Sequence, residues 1–127
     1  MPESQDGQFP VALVHEAIAA SRPDDVCLVY RDRRLTWREM TDRTRRLANY
    51  LIAEKLGCHI ERDKLAGHES GQDHLAIYLH NGNEYLESMI GAFKARVAPF
   101  NVNYRYVAAE LQYLLNDAQA TAIVVHS

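Results

Sequence analysis

An α/β fold with a partial, mainly parallel sheet, crossover helices and an amino-terminal β-hairpin is what this sequence predicts, on three observations. From residue 75 to the end, apolar runs of strand length alternate with segments of helical periodicity, the order that builds parallel strands joined by right-handed crossovers. Near the start, a compact apolar run meets a short charged turn and a second strand-like stretch, as in a hairpin. Between these two parts a capping box announces a long helix.

Taken in order, residues 1–8 are polar and acidic and are expected to form a flexible tail ahead of one domain over 9–127. Val11, Val14 and Ile18 recur at helical spacing, with Ala17 and Ala20 beside them, and Pro23 closes this short amphipathic helix. Val26-Cys-Leu-Val-Tyr30 and Arg34-Leu-Thr36 read as a hairpin turning at Asp32-Arg33, although no glycine marks the turn. In Thr36-Trp-Arg-Glu39 the threonine hydroxyl can accept from the Glu39 amide while the glutamate reaches back to the Thr36 amide, so a helix starts there. Met40, Thr44, Leu47, Ala48 and Leu51 mark its inner face, and Gly57 is the expected stop after Leu56.

Residues 58–73 are polar and aperiodic, with Gly67 and Gly71, and read as a long surface loop with the character of an insertion. Leu75–Leu79 is apolar throughout, as buried parallel strands are. Asn81 offers a helix cap three residues before Glu84, and Leu86, Met89, Ile90 and Phe93 form the expected core stripe of a helix ending near Ala95. In the strand Val97–Val102, Pro99 cannot donate to a ladder, which confines the stretch to a sheet edge or a strand start. Leu111, Leu114, Leu115 and Ala118 make another helical stripe before the final strand Ala122–Val125. An open edge of aliphatic strands invites association, so a chain stopping just after one reads as cut rather than completed.

With 127 residues, 47% of them hydrophobic and 24% charged, the chain belongs with soluble globular sequences of a single domain. A formal charge of -3 and a pI near 6.0 argue against nucleic acid or an anionic membrane as the main partner, since both select a basic surface. The local run of Arg31, Arg33, Arg34, Arg38, Arg43, Arg45 and Arg46, interrupted by Asp32, Glu39 and Asp42, is expected to be a solvated helix face. Cys27 and Cys58 are expected as reduced thiols. No export signal and no transmembrane segment of roughly 18 to 20 apolar residues is visible, so a cytoplasmic location is expected.

The residues offer little chemistry by themselves. Cys58, His59, His68 and His74 gather in or beside one loop, but their spacing lacks the tight ligand pairs of structural zinc sites, and solvated loop residues are expected instead. His15, His80 and His126 stand apart in sequence with no serine or cysteine nucleophile in a recognisable setting. Gly82 and Gly91 are isolated, and neither of the glycine-rich phosphate-loop patterns occurs. Lys94 could suggest a phosphate ligand, yet at a helix end it is expected to satisfy the macrodipole and the last carbonyls.

A resemblance takes the reading further. Leu35-Thr-Trp-Arg-Glu-Met40 resembles the first core motif of the adenylate-forming (AMP-binding) enzymes, usually L-[TS]-Y-x-E-L. Phe93-Lys-Ala-Arg-Val-Ala-Pro99 is similar to the second motif, L-K-A-G-x-x-x-P, and Leu79-His-Asn-Gly-Asn-Glu-Tyr-Leu86 to the intervening L-P-N-x-x-E-Y-L. The likeness runs in order from about Val11 to the end, and Asn101-Val-Asn-Tyr-Arg-Tyr-Val107 with Glu110-Leu111 most resembles actinobacterial fatty-acyl and steroid side-chain CoA ligases. Arg96 stands where the second motif usually has glycine, and the 58–73 loop is longer than in many relatives.

The resemblance implies an incomplete amino-terminal subdomain of an acyl-CoA ligase. Such enzymes join a carboxylate to ATP as an acyl-adenylate and then pass the acyl group to coenzyme A, with magnesium and basic groups stabilising the transferring phosphate. The family supplies these groups from later segments, so the resemblance carries no catalytic, cofactor-binding or metal residue onto this chain, which is expected to be inactive alone and to use ATP, magnesium and coenzyme A only as part of a full-length ligase. The alternative is a non-catalytic module pairing through its open sheet edge with the remainder of a ligase or with itself.

Overall fold

The structure, a computed structural model, describes residues 10–127, so the expected tail over 1–8 lies outside the described residues. Helix α1 (Val11–Ser21) forms as expected, but its buried face is His15 and Ala19, whereas Val11 and Val14 are 57% and 42% exposed. The valine stripe is therefore corrected: the ring contact of His15 with Trp37 and the ion pairs of Glu16 outweigh aliphatic spacing in setting the rotation of a helix this short.

Strands β1 (Val26–Tyr30) and β2 (Arg33–Thr36) pair antiparallel, with Tyr30 opposite Arg33. The turn is thus Arg31-Asp32, one residue earlier than expected, and Arg31 takes the left-handed φ of 55° that glycine or asparagine more often supplies. Helix α2 (Trp37–Ala53) opens on the expected capping box: Thr36 Oγ1 accepts from the Glu39 amide at 3.2 Å, and Glu39 Oε2 accepts from the Thr36 amide at 2.9 Å. Its inner face buries Met40, Thr44, Ala48 and Leu51 as the spacing requires.

The end of α2 corrects the sequence reading. Lys55, with φ 63°, makes the left-handed step, while the Leu56 amide donates to Leu51 O at 3.0 Å and the Lys55 amide to Ile52 O at 2.9 Å. This is a Schellman closure two residues ahead of Gly57. Gly57 instead anchors the loop, donating to Asp73 Oδ2 at 2.9 Å while its carbonyl accepts from the Asp73 amide at 2.8 Å.

The 58–73 loop has internal order. Cys58 bridges Gln72 in antiparallel fashion, the His59 amide donates to Gly71 O at 2.7 Å, and a 3-10 turn spans Arg62–Lys64. Arg62 clamps the interior by donating to the carbonyls of Glu69 and Ala66 at 2.9 and 3.0 Å. Gly71 is required for closure, since a Cβ there would stand 1.9 Å from Ile60 O.

Strands β3 (His74–Tyr78), β4 (Ala98–Asn101) and β5 (Ala120–Val125) form one parallel sheet in the order β4-β3-β5. Central β3 pairs His74 with both Ala98 and Ala120, and Leu75, Ala76 and Ile77 are at most 1% exposed. Burying Leu75 and Ile77 contributes roughly 1.5 to 3 kcal/mol each. β4 is an edge strand, which accommodates Pro99 opposite Leu75.

Helix α3 (Asn83–Lys94) connects β3 to β4, and α4 (Ala108–Asp117) connects β4 to β5. Two expectations for α3 are corrected. The cap is Gly82, without a side-chain bond, rather than Asn81, and Glu84 approaches Arg33 at 3.9 Å. The buried face is Asn83, Glu87, Ser88, Gly91 and Ala92, while Leu86 of the apolar stripe is 43% exposed. Small residues on that face let α3 approach α2 closely: a Cβ on Gly91 would stand 2.7 Å from Leu47 Cδ2. The main core then joins Ala48, Leu51, Leu75, Ala92, Ala95 and Val97, whereas α4 buries none of its residues.

Candidate functional site

Three helices converge on one buried cation. Lys94 sits in the last turn of α3, but its side chain, 6% exposed, turns inward to Glu16 Oε1 of α1 at 2.8 Å and donates to Thr44 Oγ1 of α2 at 2.8 Å. The expected service to the last carbonyls is therefore corrected, because the α1–α2 seam offers a carboxylate that an ammonium leaving water must have. Arg45 of α2 holds Glu16 from the outer side, its Nε donating at 3.0 and 3.1 Å. The Arg45 guanidinium, aided by Lys94, pulls the Glu16 carboxyl down to about 2, while burial pushes the Lys94 ammonium below its usual value against the pull of Glu16. Both charges are thus committed to each other.

The arginine run is exposed apart from the half-buried Arg43, but Arg31, Arg33 and Arg34 lie in the hairpin rather than on a helix face, and most of the run is paired. Arg38 reaches Asp24 at 3.0 Å, Arg46 pairs with Asp42, and Arg43 grips Glu87 of α3 at 2.5 and 3.1 Å. Glu87 also accepts from Asn83 Nδ2 at 3.0 Å within α3, which steadies the carboxylate that ties α3 to Arg43 of α2.

Of the four loop residues that suggest a metal, His68 is exposed and the other three are engaged elsewhere. His59 Nε2 lies 2.5 Å from Asp73 Oδ2; His74 places Nδ1 2.6 Å from Ala118 O and Nε2 2.8 Å from Ser70 Oγ; Cys58 Sγ donates to Ile60 O at 3.4 Å. Burial pushes the Asp73 carboxyl up, but the Gly57 amide and His59 bring it below the usual carboxylate value. Among the described residues no group of three or more His, Cys, Asp or Glu side chains could hold a metal ion.

At the carboxyl ends of the parallel strands, where open α/β sheets place ligands, two histidines that stand apart in sequence come together. His80 follows β3 and His126 follows β5; their rings stack with centroids 5.8 Å apart, and the His80 amide donates to His126 Nε2 at 3.3 Å. Tyr104, after β4, tilts against His80 at 4.6 Å. With Tyr78 and Val125 these residues line a cavity of about 220 Å³. Aligned neighbouring parallel strands bring their ends together, but the sequence does not say that β5 lies beside β3. This cleft presents imidazole and phenol groups to its interior.

A helix-flanked partial parallel sheet with an appended hairpin is the arrangement seen in the amino-terminal subdomain of adenylate-forming enzymes. The family described as AMP-binding enzyme matches residues 15–127, and the chain belongs to that family. Over 94% of its length the chain is 55% identical to the medium-chain acyl-CoA ligase Mig of Mycobacterium avium, of which it covers 22%. Over 80% it is 36% identical to the 3-oxocholest-4-en-26-oate–CoA ligase of Rhodococcus rhodochrous, of which it covers 16%. The amino-terminal subdomain of NpsA from Klebsiella oxytoca superposes with a TM-score of 0.74 at 22% identity, covering 94% of this chain and 29% of that one, which bears on fold alone. The chain thus spans a small part of the length of its relatives. No helix among the described residues is long and apolar enough to cross a membrane.

Proposed function

We propose that this chain is amino-terminal scaffold of an ATP-dependent acyl-CoA ligase acting on medium-chain fatty acids, and that the chemistry is carried by residues outside these 127. The observation that supports this most is the 55% identity to a medium-chain acyl-CoA ligase across 94% of the chain. In the full ligase a carboxylate would attack ATP to form acyl-adenylate and pyrophosphate, and the coenzyme A thiol would then displace AMP. The side chains offered here suit packing better than phosphate chemistry: Lys94 is spent on Glu16 and Thr44, and Arg43 on Glu87. Such a scaffold would work in the cytoplasm, beside soluble ATP and coenzyme A.

The test is acid-dependent exchange of pyrophosphate into ATP, measured with octanoate, decanoate and a steroid side-chain acid. The 127-residue protein should give no exchange. Exchange by this chain alone would overturn the scaffold reading. In a ligase continuing past Ser127, exchange should be greatest with the medium-chain acids, and greater exchange with the steroid acid would overturn the substrate assignment.

A further inference from the structure

Where α1 meets α2 and α3, one titratable side chain stands outside the ion pairs around it. His15 is 7% exposed and tilts against the Trp37 ring at 5.3 Å. Among the described residues neither Nδ1 nor Nε2 has a hydrogen-bond partner. The charged groups gathered at this junction are all committed: Glu16 of α1 to Arg45 of α2 and Lys94 of α3, and Lys94 also to Thr44. Cys27 of β1 is held as the neutral thiol by burial. A neutral imidazole can stay here for its ring contact with Trp37. Among the described residues an imidazolium would have two N–H donors without an acceptor and a buried ammonium close by, and the Glu16 carboxylate already serves two cations.

We propose that His15 makes α1 a proton-released latch: uptake of one proton on the buried imidazole undocks the helix from α2 and α3, while the sheet core stays folded. The separation follows from where titratable groups lie. The core cluster of Ala48, Leu51, Leu75, Ala92, Ala95 and Val97 contains none, so a proton taken up at His15 adds no charge to it. Burial, and then the Lys94 charge, hold the imidazole below its usual value, and Glu16 only partly opposes them. For a group depressed in the folded state, docking is at full strength above the unfolded value of about 6.5 and weakens below it, by up to about tenfold per pH unit. Glu16 stays ionised through this range, since its own carboxyl titrates near 2.

Amide hydrogen exchange of the 127-residue chain at pH 7, 6 and 5, corrected for intrinsic exchange rates, tests this. Protection of the Val14–Ser21 amides should drop by up to about tenfold per pH unit, while that of Leu75–Ile77 holds. His15→Phe keeps an aromatic ring against Trp37 and should remove the pH dependence of α1. In the wild-type chain, NMR of the His15 ring should show a midpoint below the ordinary histidine range that coincides with the loss of α1 protection. Unchanged α1 protection from pH 7 to 5 would overturn the latch, as would a loss that persists in His15→Phe. Should that variant not fold, the wild-type ring titration decides alone: a ring that protonates while α1 remains protected overturns the proposal.

Discussion

At the scale of single residues, three helix ends share one solution. Lys55, Arg96 and Gln119 take φ of 63°, 60° and 53° directly after α2, α3 and α4. Each is the left-handed step that glycine makes without strain, and an L-residue there costs about 1 kcal/mol. Arg96 occupies the position where the family's second motif usually carries glycine, and it still takes the glycine conformation. The Val97 amide donates to Ala92 O at 2.9 Å and the Arg96 amide to Phe93 O at 3.1 Å, completing the closure. The added side chain is then used, because Arg96 pairs with Glu61 at 2.7 and 2.8 Å and its carbonyl accepts from Gln72 at 2.7 Å. The two departures from the family pattern, Arg96 and the long 58–73 loop, therefore meet in one contact. Lys55→Gly is expected to raise unfolding stability by about 1 kcal/mol in urea titration. Arg96→Gly should gain less and should raise amide exchange in the loop. An equal gain at both positions, with loop exchange unchanged, would show that the Glu61 contact holds nothing. In sequence only Arg96 left a mark, as the replacement of a motif glycine; a helix stop is read from glycine, so Lys55 and Gln119 in the same conformation left none.

At the scale of elements, the docking of α1 rests on charge more than on apolar area. Glu16→Gln would leave Lys94 6% exposed without its carboxylate, and removing one partner of a buried pair costs about 3 kcal/mol or more. Lys94→Met removes the cation instead and leaves Glu16 with Arg45, so it should cost clearly less. Guanidinium unfolding of the two variants decides: equal losses would mean that Lys94 contributes packing alone. The same pair fixes a pH window distinct from that of His15. Since the folded Glu16 carboxyl lies at about 2 against an ordinary 4.5, its stabilisation is complete above about 4.5 and is lost as the pH falls from there toward 2. Solvent screening of the exposed Arg45 keeps the amount at stake below about 3 kcal/mol. Stability measured from pH 5 to 2.5 should fall less steeply in Glu16→Gln than in the wild type. The α2–α3 seam has a different weakness: Gly91→Val would drive Leu47 aside and should cost about 1 to 3 kcal/mol by urea titration, whereas an unchanged midpoint would mean that the helices separate freely.

Over the whole molecule, what sequence conveyed well was order and type. The capping box at Thr36 and Glu39 fixed the start of α2, and the apolar run Leu75–Leu79 identified the central strand because continuous burial leaves no room for polar alternation. Pro99 pointed correctly to an edge. What failed was which face of a helix turns inward. Aliphatic spacing favoured Val11 and Val14 in α1 and Leu86 in α3, while the structure buries His15 and Glu87, whose partners Trp37 and Arg43 lie 22 and 44 residues away. Polar side chains betray burial only through partners, and distant partners cannot be seen along a chain. The site was less legible still, because His80 and His126 meet only through strand order. The same distribution of burial makes stability uneven. β3 is flanked by two strands and almost fully buried, while α4 buries no residue and leaves Tyr113 73% exposed and Val107 65% exposed. Protection against amide exchange should accordingly be highest in Leu75–Ile77 and much lower in Ala108–Asp117, with α4 opening locally before the sheet does. In thermal or urea unfolding, Ile77→Ala should cost roughly 2 to 5 kcal/mol and Tyr113→Ser no more than about 0.5. Protection in α4 equal to that of β3, or a loss from Tyr113→Ser comparable to that from Ile77→Ala, would mean that the helix is held by contacts its exposure does not show.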